Sequence, residues 1–446
     1  RERRARPPPR AQRTRPRKKI ESEIAVAERF HEACGGDYRY CPTFGAWLVY
    51  DGRRWALDER ASVREVAKRN AQAVLEEAAA VRDQTLFRTG IRAASARGVS
   101  AAIELTRSTP RVATLADELD TDPYALNVTN GTVELRTGRL RPHSREDLIT
   151  KLAPLAYDPD AAAPQFDAFL REVLPDAEVR AFVQRWVGYA ATGVVREHVL
   201  PVFYGGGSNG KSTLVELLSH VLGEYASAMP DGFLSERLHD EHATEIARLR
   251  GVRFAIASEA REGRALDEAK VKRLTGGDTL TGRFMRGNYF DFEPTAKFAL
   301  LTNHRPRLKG TDLGIRRRVQ LVPFIVTIPE ERRDPALRAR ILEAEGAGVL
   351  RWIVDGARDW YARGEKLEPP AAVRAATHDY HAQEDVFARF LEERCILRPP
   401  TERPERVRVK PRELFAAFRD WCQANGERDA GSERGTHTEV VTRFTA

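Results

Sequence analysis

The chain has 446 residues, 42% of them hydrophobic and 31% charged, which describes a soluble globular protein of about three domains. No apolar run reaches the roughly 18 residues of a membrane span, and no charged-then-apolar leader marks a secretory signal. The net charge of +8 is confined to one end: residues 1–19 hold ten basic side chains and one acid, which leaves about −1 for everything else.

That Arg- and Pro-rich tail cannot bury a core and is expected to be disordered, either as a solvated linker or as a non-specific grip on nucleic acid phosphates. A chain that begins at Arg1 is expected to continue upstream in a longer protein. The four cysteines, Cys34, Cys41, Cys395 and Cys422, form no C-x-x-C pair and read as free cytosolic thiols.

Glu23 to Cys34 has helical spacing, with Ile24, Ala27, Phe30 and Ala33 on one face. Short strands are expected at Arg39-Tyr40, Ala46–Tyr50 and Arg54-Trp55, with Asp51-Gly52 as a hairpin turn. One long helical stretch is expected from Ala61 to Arg97. Leu126 to Leu140 reads as a small β-unit with turns at Asn130-Gly131 and Thr137-Gly138. Two helices are expected between Pro164 and Thr192. The first carries Phe166, Phe169, Leu170, Val173 and Leu174; the second starts after Pro175-Asp176 and carries Phe182, Val183 and Trp186. These stripes are core, not chemistry.

An apolar strand, Val202-Phe203-Tyr204, then enters a loop that fits G-x-x-x-x-G-K-[ST] from Gly205 to Ser212. Glycines let backbone N–H groups turn inward onto phosphate oxygens, and the helix that follows adds its free N–H groups and positive dipole end. In that role Gly205, Gly206, Gly207, Ser208, Asn209, Gly210, Lys211, Ser212 and Thr213 surround a nucleotide. Lys211 reaches the β/γ-phosphates, and Ser212 holds Mg²⁺. Apolar runs at Val252–Ser258, Lys297–Thr302 and Val319–Ile325 predict three more strands, covered on both faces in a parallel α/β sheet.

Ligands sit at the carboxyl ends of such strands, where Glu259 and Asn303 fall. Glu259 fits the carboxylate that orients water and helps the metal, although Ser258 stands where a companion acid is usual. Asn303 fits either a γ-phosphate sensor or a strand-end turn. Arg316-Arg317-Arg318 fits either a solvated face or an arginine finger. Between these motifs, Thr279–Phe284 and Tyr289–Phe292 read as a hairpin with Arg286-Gly287-Asn288 at its turn. Such a basic tip can grip a phosphate backbone or be only a hairpin. Pro369-Pro370 marks a boundary, and Glu384 to Ala446 reads as helix, loop, helix (Arg412–Asn425) and a fading end.

In this order and spacing, GGGSNGKST, FAIASE, KRLTGGDTLTGRF, FALLTNHRP and DLGIRRRVQLVPF resemble the superfamily 3 helicase domain of phage and plasmid primase–helicases, the group with the poxvirus-type enzymes. The resemblance covers Ile20 to Asn425. It implies an AAA+-like P-loop core (195–366), a preceding α+β domain (20–194) and a winged-helix-like module (384–446). It also implies a homo-hexamer in the cytoplasm of a bacterial host, with ATP and Mg²⁺ between subunits and single-stranded or forked duplex DNA as partner. A primase domain would be fused upstream. Carried over, Glu259 is the catalytic acid, Asn303 the sensor, and Arg318 the finger with Arg317 as second choice. Arg286 contacts DNA, with Lys272 and Arg283 in support. An ATP-dependent initiator or loader shares every one of these motifs. A small-molecule P-loop kinase fits the Gly205–Ser212 loop but leaves the hairpin and the finger unexplained.

Overall fold

The structure is a computed structural model that describes residues 22–236, 243–259, 264–285, 287–308, 313–395 and 410–425. The basic tail, Arg286 and much of the expected C-terminal module lie outside the described residues. Two compact units emerge. The first takes in the described residues up to Asp122 with Pro142–Leu152 and Arg283–Phe290; the second takes in Pro123–Arg141, Ala153–Gly282 and the rest from Asp291.

In the first unit, α1 (Glu23–Ala33) precedes an antiparallel sheet of β1 (Tyr38–Cys41), β2 (Ala46–Tyr50) and β3 (Trp55–Leu57). Asp51 makes the expected turn: its Oδ1 accepts from the Arg53 and Arg54 amides, and Gly52 takes φ +94°. The long helix expected over Ala61–Arg97 is instead α2 (Ser62–Val81), α3 (Gln84–Ala94) and α4 (Ala96–Thr106). Two caps break it. Asp83 accepts from the Thr85 and Leu86 amides, and Ser95 accepts from that of Gly98. Arg82, in the left-handed region at φ +53°, ends α2.

The second unit opens with β4 (Ala125–Val128), β5 (Gly131–Glu134) and β6 (Arg139–Arg141), paired antiparallel as the turn residues predict. Helices α5 (Pro164–Val173) and α6 (Ala177–Ala191) follow. Then come β7 (Leu200–Tyr204), α7 (Lys211–Leu222), β8 (Ala226–Ala228), α8 (Ala243–Ala247), β9 (Phe254–Ser258) and α9 (Glu268–Gly276). The hairpin strands are β10 (Leu280–Arg283) and β11 (Tyr289–Phe292). After them lie β12 (Lys297–Thr302), α10 (Leu313–Arg316), β13 (Val319–Pro323), α11 (Leu337–Ala362), α12 (Ala371–Glu384), α13 (Val386–Arg394) and α14 (Pro411–Ala424).

The expected α/β core with a parallel sheet is present: five strands in the order β13-β7-β12-β9-β8, every pair parallel. Both faces are covered, which explains the continuous apolar runs. One face presents Phe203, Phe254, Ile256 and Val322 to α6, α7 and α11; the other presents Val202, Ala255, Phe298, Leu300 and Leu321 to a second core. The edge strand β8, Ala-Ser-Ala, has no apolar signature, and sequence reasoning missed it.

The boundary expected at residue 194 falls inside one core. Trp186 of α6 meets Phe203 and Phe254 edge-on at 5.9 and 5.7 Å, and α5 shares that core with α7 and α11. Buried Glu345 of α11 caps α5 by accepting from the amides of Gln165 and Phe166. Helices α13 and α14 make a small core of their own from Phe387, Phe390, Phe418 and Trp421.

Candidate nucleotide site

Because the sheet is parallel, its carboxyl ends share one edge. Thr302 and Pro323 both lie opposite Tyr204, and Leu301 lies opposite Ser258. The residues just past those ends, Gly205, Glu259, Asn303 and Phe324, therefore leave the sheet together. That edge is where an α/β sheet of this kind binds ligands.

The loop between β7 and α7 is fixed from below and open above. A Cβ on Gly205 would lie 2.2 Å from the Phe324 carbonyl oxygen. One on Gly210, at φ +79°, would lie 2.4 Å from Val173 Cγ1 of α5. A Cβ on Gly206 or Gly207 would meet nothing within 4 Å. The Ser208 carbonyl accepts from the Ile328 amide at 2.7 Å, which ties the loop to the segment after β13. Helix α7 starts at Lys211 with Gly210 as its cap residue and no side-chain cap. Its first N–H groups thus form a cradle suited to an anion.

Lys211 sits in the middle of this loop, only 4% exposed. Its Nζ lies 2.7 Å from Gly205 O, 3.0 Å from Asn209 Oδ1, 3.2 Å from Asn303 Oδ1 and 3.4 Å from Gly206 O. Asn209 in turn donates Nδ2 to the Gly206 and Phe324 carbonyls. The lysine has carbonyl and amide oxygens around it, and burial lowers its pKa from 10.5 to about 8. Phosphate oxygens would supply the missing negative charge.

Glu259 lies just past β9, and its amide donates to Leu301 O. The Thr302 hydroxyl, from the end of β12, bonds to Glu259 Oε2. Sequence reasoning missed Thr302; its signal was its place immediately before Asn303 on the neighbouring strand. Ser212 is exposed in the first turn of α7, and Thr213 is half-buried beside it. An exposed hydroxyl at an uncapped helix start, with one carboxylate at a nearby strand end, suits a Mg²⁺ ion that keeps most of its oxygens from phosphate and water.

The structure separates the three arginines. Arg318 is 8% exposed; its Nε donates to Thr275 Oγ1 and its Nη1 to Gly314 O, at 3.1 and 2.7 Å. Arg318, the first choice for the finger, is thus held inside its own fold. Arg317 is exposed. It precedes β13 and so stands at the amino edge of the sheet, across the strand from the Lys211 edge.

Of the expected DNA contacts, Lys272 lies on α9 and not on the hairpin. Arg283 ends β10, exposed, with its Nε donating to Gly287 O and its guanidinium 5.2 Å from the Tyr289 ring centroid.

The family described as "D5 N terminal like" matches residues 27–175, and a second family, described only as of unknown function, matches residues 203–318. "Putative helicase L207/L206" of Acanthamoeba polyphaga mimivirus is 25% identical over 327 residues, 69% of this chain and 34% of that protein. "Putative helicase 022R" of Frog virus 3 is 27% identical over 291 residues, 61% of this chain and 29% of its own. "Putative primase C962R" of African swine fever virus (strain Badajoz 1971 Vero-adapted) is 22% identical over 330 residues, 69% and 34% of the two chains. The chain thus spans about a third of the length of these curated relatives. Among solved structures, an apo NrS-1 C terminal region matches with TM-score 0.48 at 14% identity, covering 80% of this chain and 74% of that one. The chain is thus similar over residues 27–175 to the family described as D5 N terminal like, and over about two thirds of its length to viral proteins named putative helicases and primases.

Proposed function

We propose that this chain is the ATP-driven helicase part of a replicative primase–helicase, with phage or plasmid DNA replication as its setting. The observation that carries this reading is the Lys211 ammonium bonded at once to the phosphate loop and to Asn303. One side chain thereby joins the group that would hold the β/γ-phosphates to the group that would sense the γ-phosphate.

In this reading Gly205–Thr213 cradle ATP, and Lys211 exchanges its carbonyl partners for phosphate oxygens. Ser212 and Glu259 hold Mg²⁺, which neutralises charge on the phosphates when bound. Glu259 orients the attacking water. The finger is Arg317 rather than Arg318, since Arg317 is exposed while Arg318 is committed to Thr275 and Gly314. A parallel strand of five residues spans about 16 Å. Arg317 at its amino edge therefore serves a neighbouring subunit's nucleotide, which supports a ring of identical subunits, most simply a hexamer. Arg283 of the hairpin, with Arg286 and Lys272, contacts single-stranded DNA.

The test uses the whole chain and Lys211→Ala. The parent is expected to hydrolyse ATP faster with single-stranded DNA and to unwind a forked duplex; the variant is expected to lose both while melting near the parent temperature. Near-parent ATPase activity in a folded Lys211→Ala protein overturns the reading. DNA-stimulated hydrolysis with no strand separation would instead favour a loader.

A further inference from the structure

The strongest unassigned feature is α12, which lies beyond the sheet and packs along the edge strand β13. Thr377 Oγ1 accepts from the Leu321 amide at 2.9 Å, on the side of β13 that has no neighbouring strand. From there to Asp385, five polar side chains hold one of two short segments. Buried Tyr380 donates its hydroxyl to Pro306 O, Gln383 Oε1 accepts from Arg305 Nη1, and Glu384 Oε2 accepts from the Leu308 amide at 3.1 Å. His381 Nε2 lies 3.0 Å from Arg316 O, and Asp385 Oδ2 lies 2.8 Å from Arg316 Nη2.

Those segments are the two ends of one crossover. Residues 305–308 begin just after Asn303, the sensor candidate at the carboxyl edge. Arg316 adjoins Arg317, the finger candidate at the amino edge. Leu308 and Ile315 at these ends are buried in the second core, the Arg307 carbonyl accepts from the Leu266 amide, and α12 adds the polar contacts that link the two ends to one helix.

We propose that α12 is a strut that positions Arg317, with Asp385 as the positioning residue at its end. It holds the sensor end and the finger end of the crossover on one rigid helix. A shift of Asn303 on γ-phosphate binding or loss is thereby passed to the finger presented to the next subunit. The Arg316–Asp385 pair is mostly shielded from water, at 27% and 14% side-chain exposure, so its geometry is well defined. This proposal rests on the shared-site ATPase reading above.

The experiment is subunit mixing with the full chain. Asp385→Ala is expected to lower ATPase kcat by roughly tenfold or more, as small misplacements of a reacting group do, with ATP affinity unchanged within about twofold. Asp385 also caps α13 through the Ala388 amide, so Arg316→Ala serves as the second variant; it breaks the same pair, leaves that cap intact and is expected to behave alike. The defect should lie in the neighbour's site. Rings mixed from Asp385→Ala and Lys211→Ala subunits should regain activity, because some interfaces pair an intact Lys211 with a well-placed Arg317. Rings mixed from Asp385→Ala and Arg317→Ala subunits should not. Recovery with Arg317→Ala instead would place the damage in the subunit's own site and overturn the proposal, as would no recovery with Lys211→Ala or parent kcat in both variants. The control mixture, Arg317→Ala with Lys211→Ala, tests the shared-site reading by itself: if only that control recovers, the strut fails and the finger stands.

Discussion

Lys211 carries the electrostatics of the site. Its folded pKa of about 8 lies below the ordinary 10.5 because burial disfavours the ammonium. In the nucleotide-free protein this sets a sign: between those values the unfolded chain binds a proton that the folded chain does not, so stability should rise with pH across that window. A bound phosphate reverses the local balance by favouring the ammonium. Above pH 8, ATP binding must therefore take up a proton, and affinity should fall by up to about tenfold per pH unit. Calorimetric titration of ATP between pH 7 and 10, in buffers of different ionisation heat, measures both the affinity and the proton. A flat affinity with no proton uptake up to pH 9.5 would show that Lys211 keeps an ordinary pKa. At this scale the loop and its lysine were readable, because phosphate chemistry dictates residue types at fixed spacing. The choice between Arg317 and Arg318 was not, because it depends on which side chain Thr275 and the Gly314 carbonyl bind, 43 and 4 residues away.

At the scale of elements, β2 and β12 have the predicted limits, Ala46–Tyr50 and Lys297–Thr302. Their limits are set by apolar runs, which burial on the sheet rewards directly. The breaks after α2 and α3 depend on single capping side chains inside an otherwise helical pattern, and periodicity passes over these. One close helix contact was also hidden. Helices α6 and α11 meet backbone to backbone: a Cβ on Gly188 would lie 2.0 Å from the Ala357 nitrogen, and one on Gly356 would lie 2.2 Å from Gln184 O. In a sequence these glycines read only as weak points in helices. In the fold they let α6 and α11 approach under the sheet. Gly188→Ala gains helix propensity, yet its methyl group must push apart two backbones that have no flexible end to yield. Net destabilisation of about 1–3 kcal/mol is expected, read from urea unfolding midpoints. A variant as stable as the parent would show that the helices separate freely, and the close contact would then have no energetic meaning.

For the whole molecule, the decisive fact is that the core beneath the nucleotide loop is built from both sides of residue 194. Leu126, Val128, Phe166, Phe169, Phe182 and Trp186 are buried in the same cluster as Phe203, Leu214, Val349 and Trp360. Gly210 of the phosphate loop packs directly against Val173 and Phe169 of α5. Motifs place a boundary where the P-loop domain begins, whereas the compact unit that holds this cluster begins at Pro123. A fragment that begins at Val195 would lose these partners. Stripping even six large side chains at about 1.5–3 kcal/mol each removes as much free energy as the whole stability of an ordinary domain, about 5–15 kcal/mol. That fragment should be insoluble or lack a cooperative melt, and should not bind ATP. A fragment that begins at Pro123 keeps the cluster and should melt in one transition that ATP raises, even though Pro142–Leu152 then lacks its partners in the first unit. Scanning calorimetry of the two fragments, with and without nucleotide, separates these outcomes. A cooperative, ATP-responsive melt from the Val195 fragment would mean that α5 and α6 merely cover a sheet able to stand without them, and that the boundary read from the motifs is the physical one.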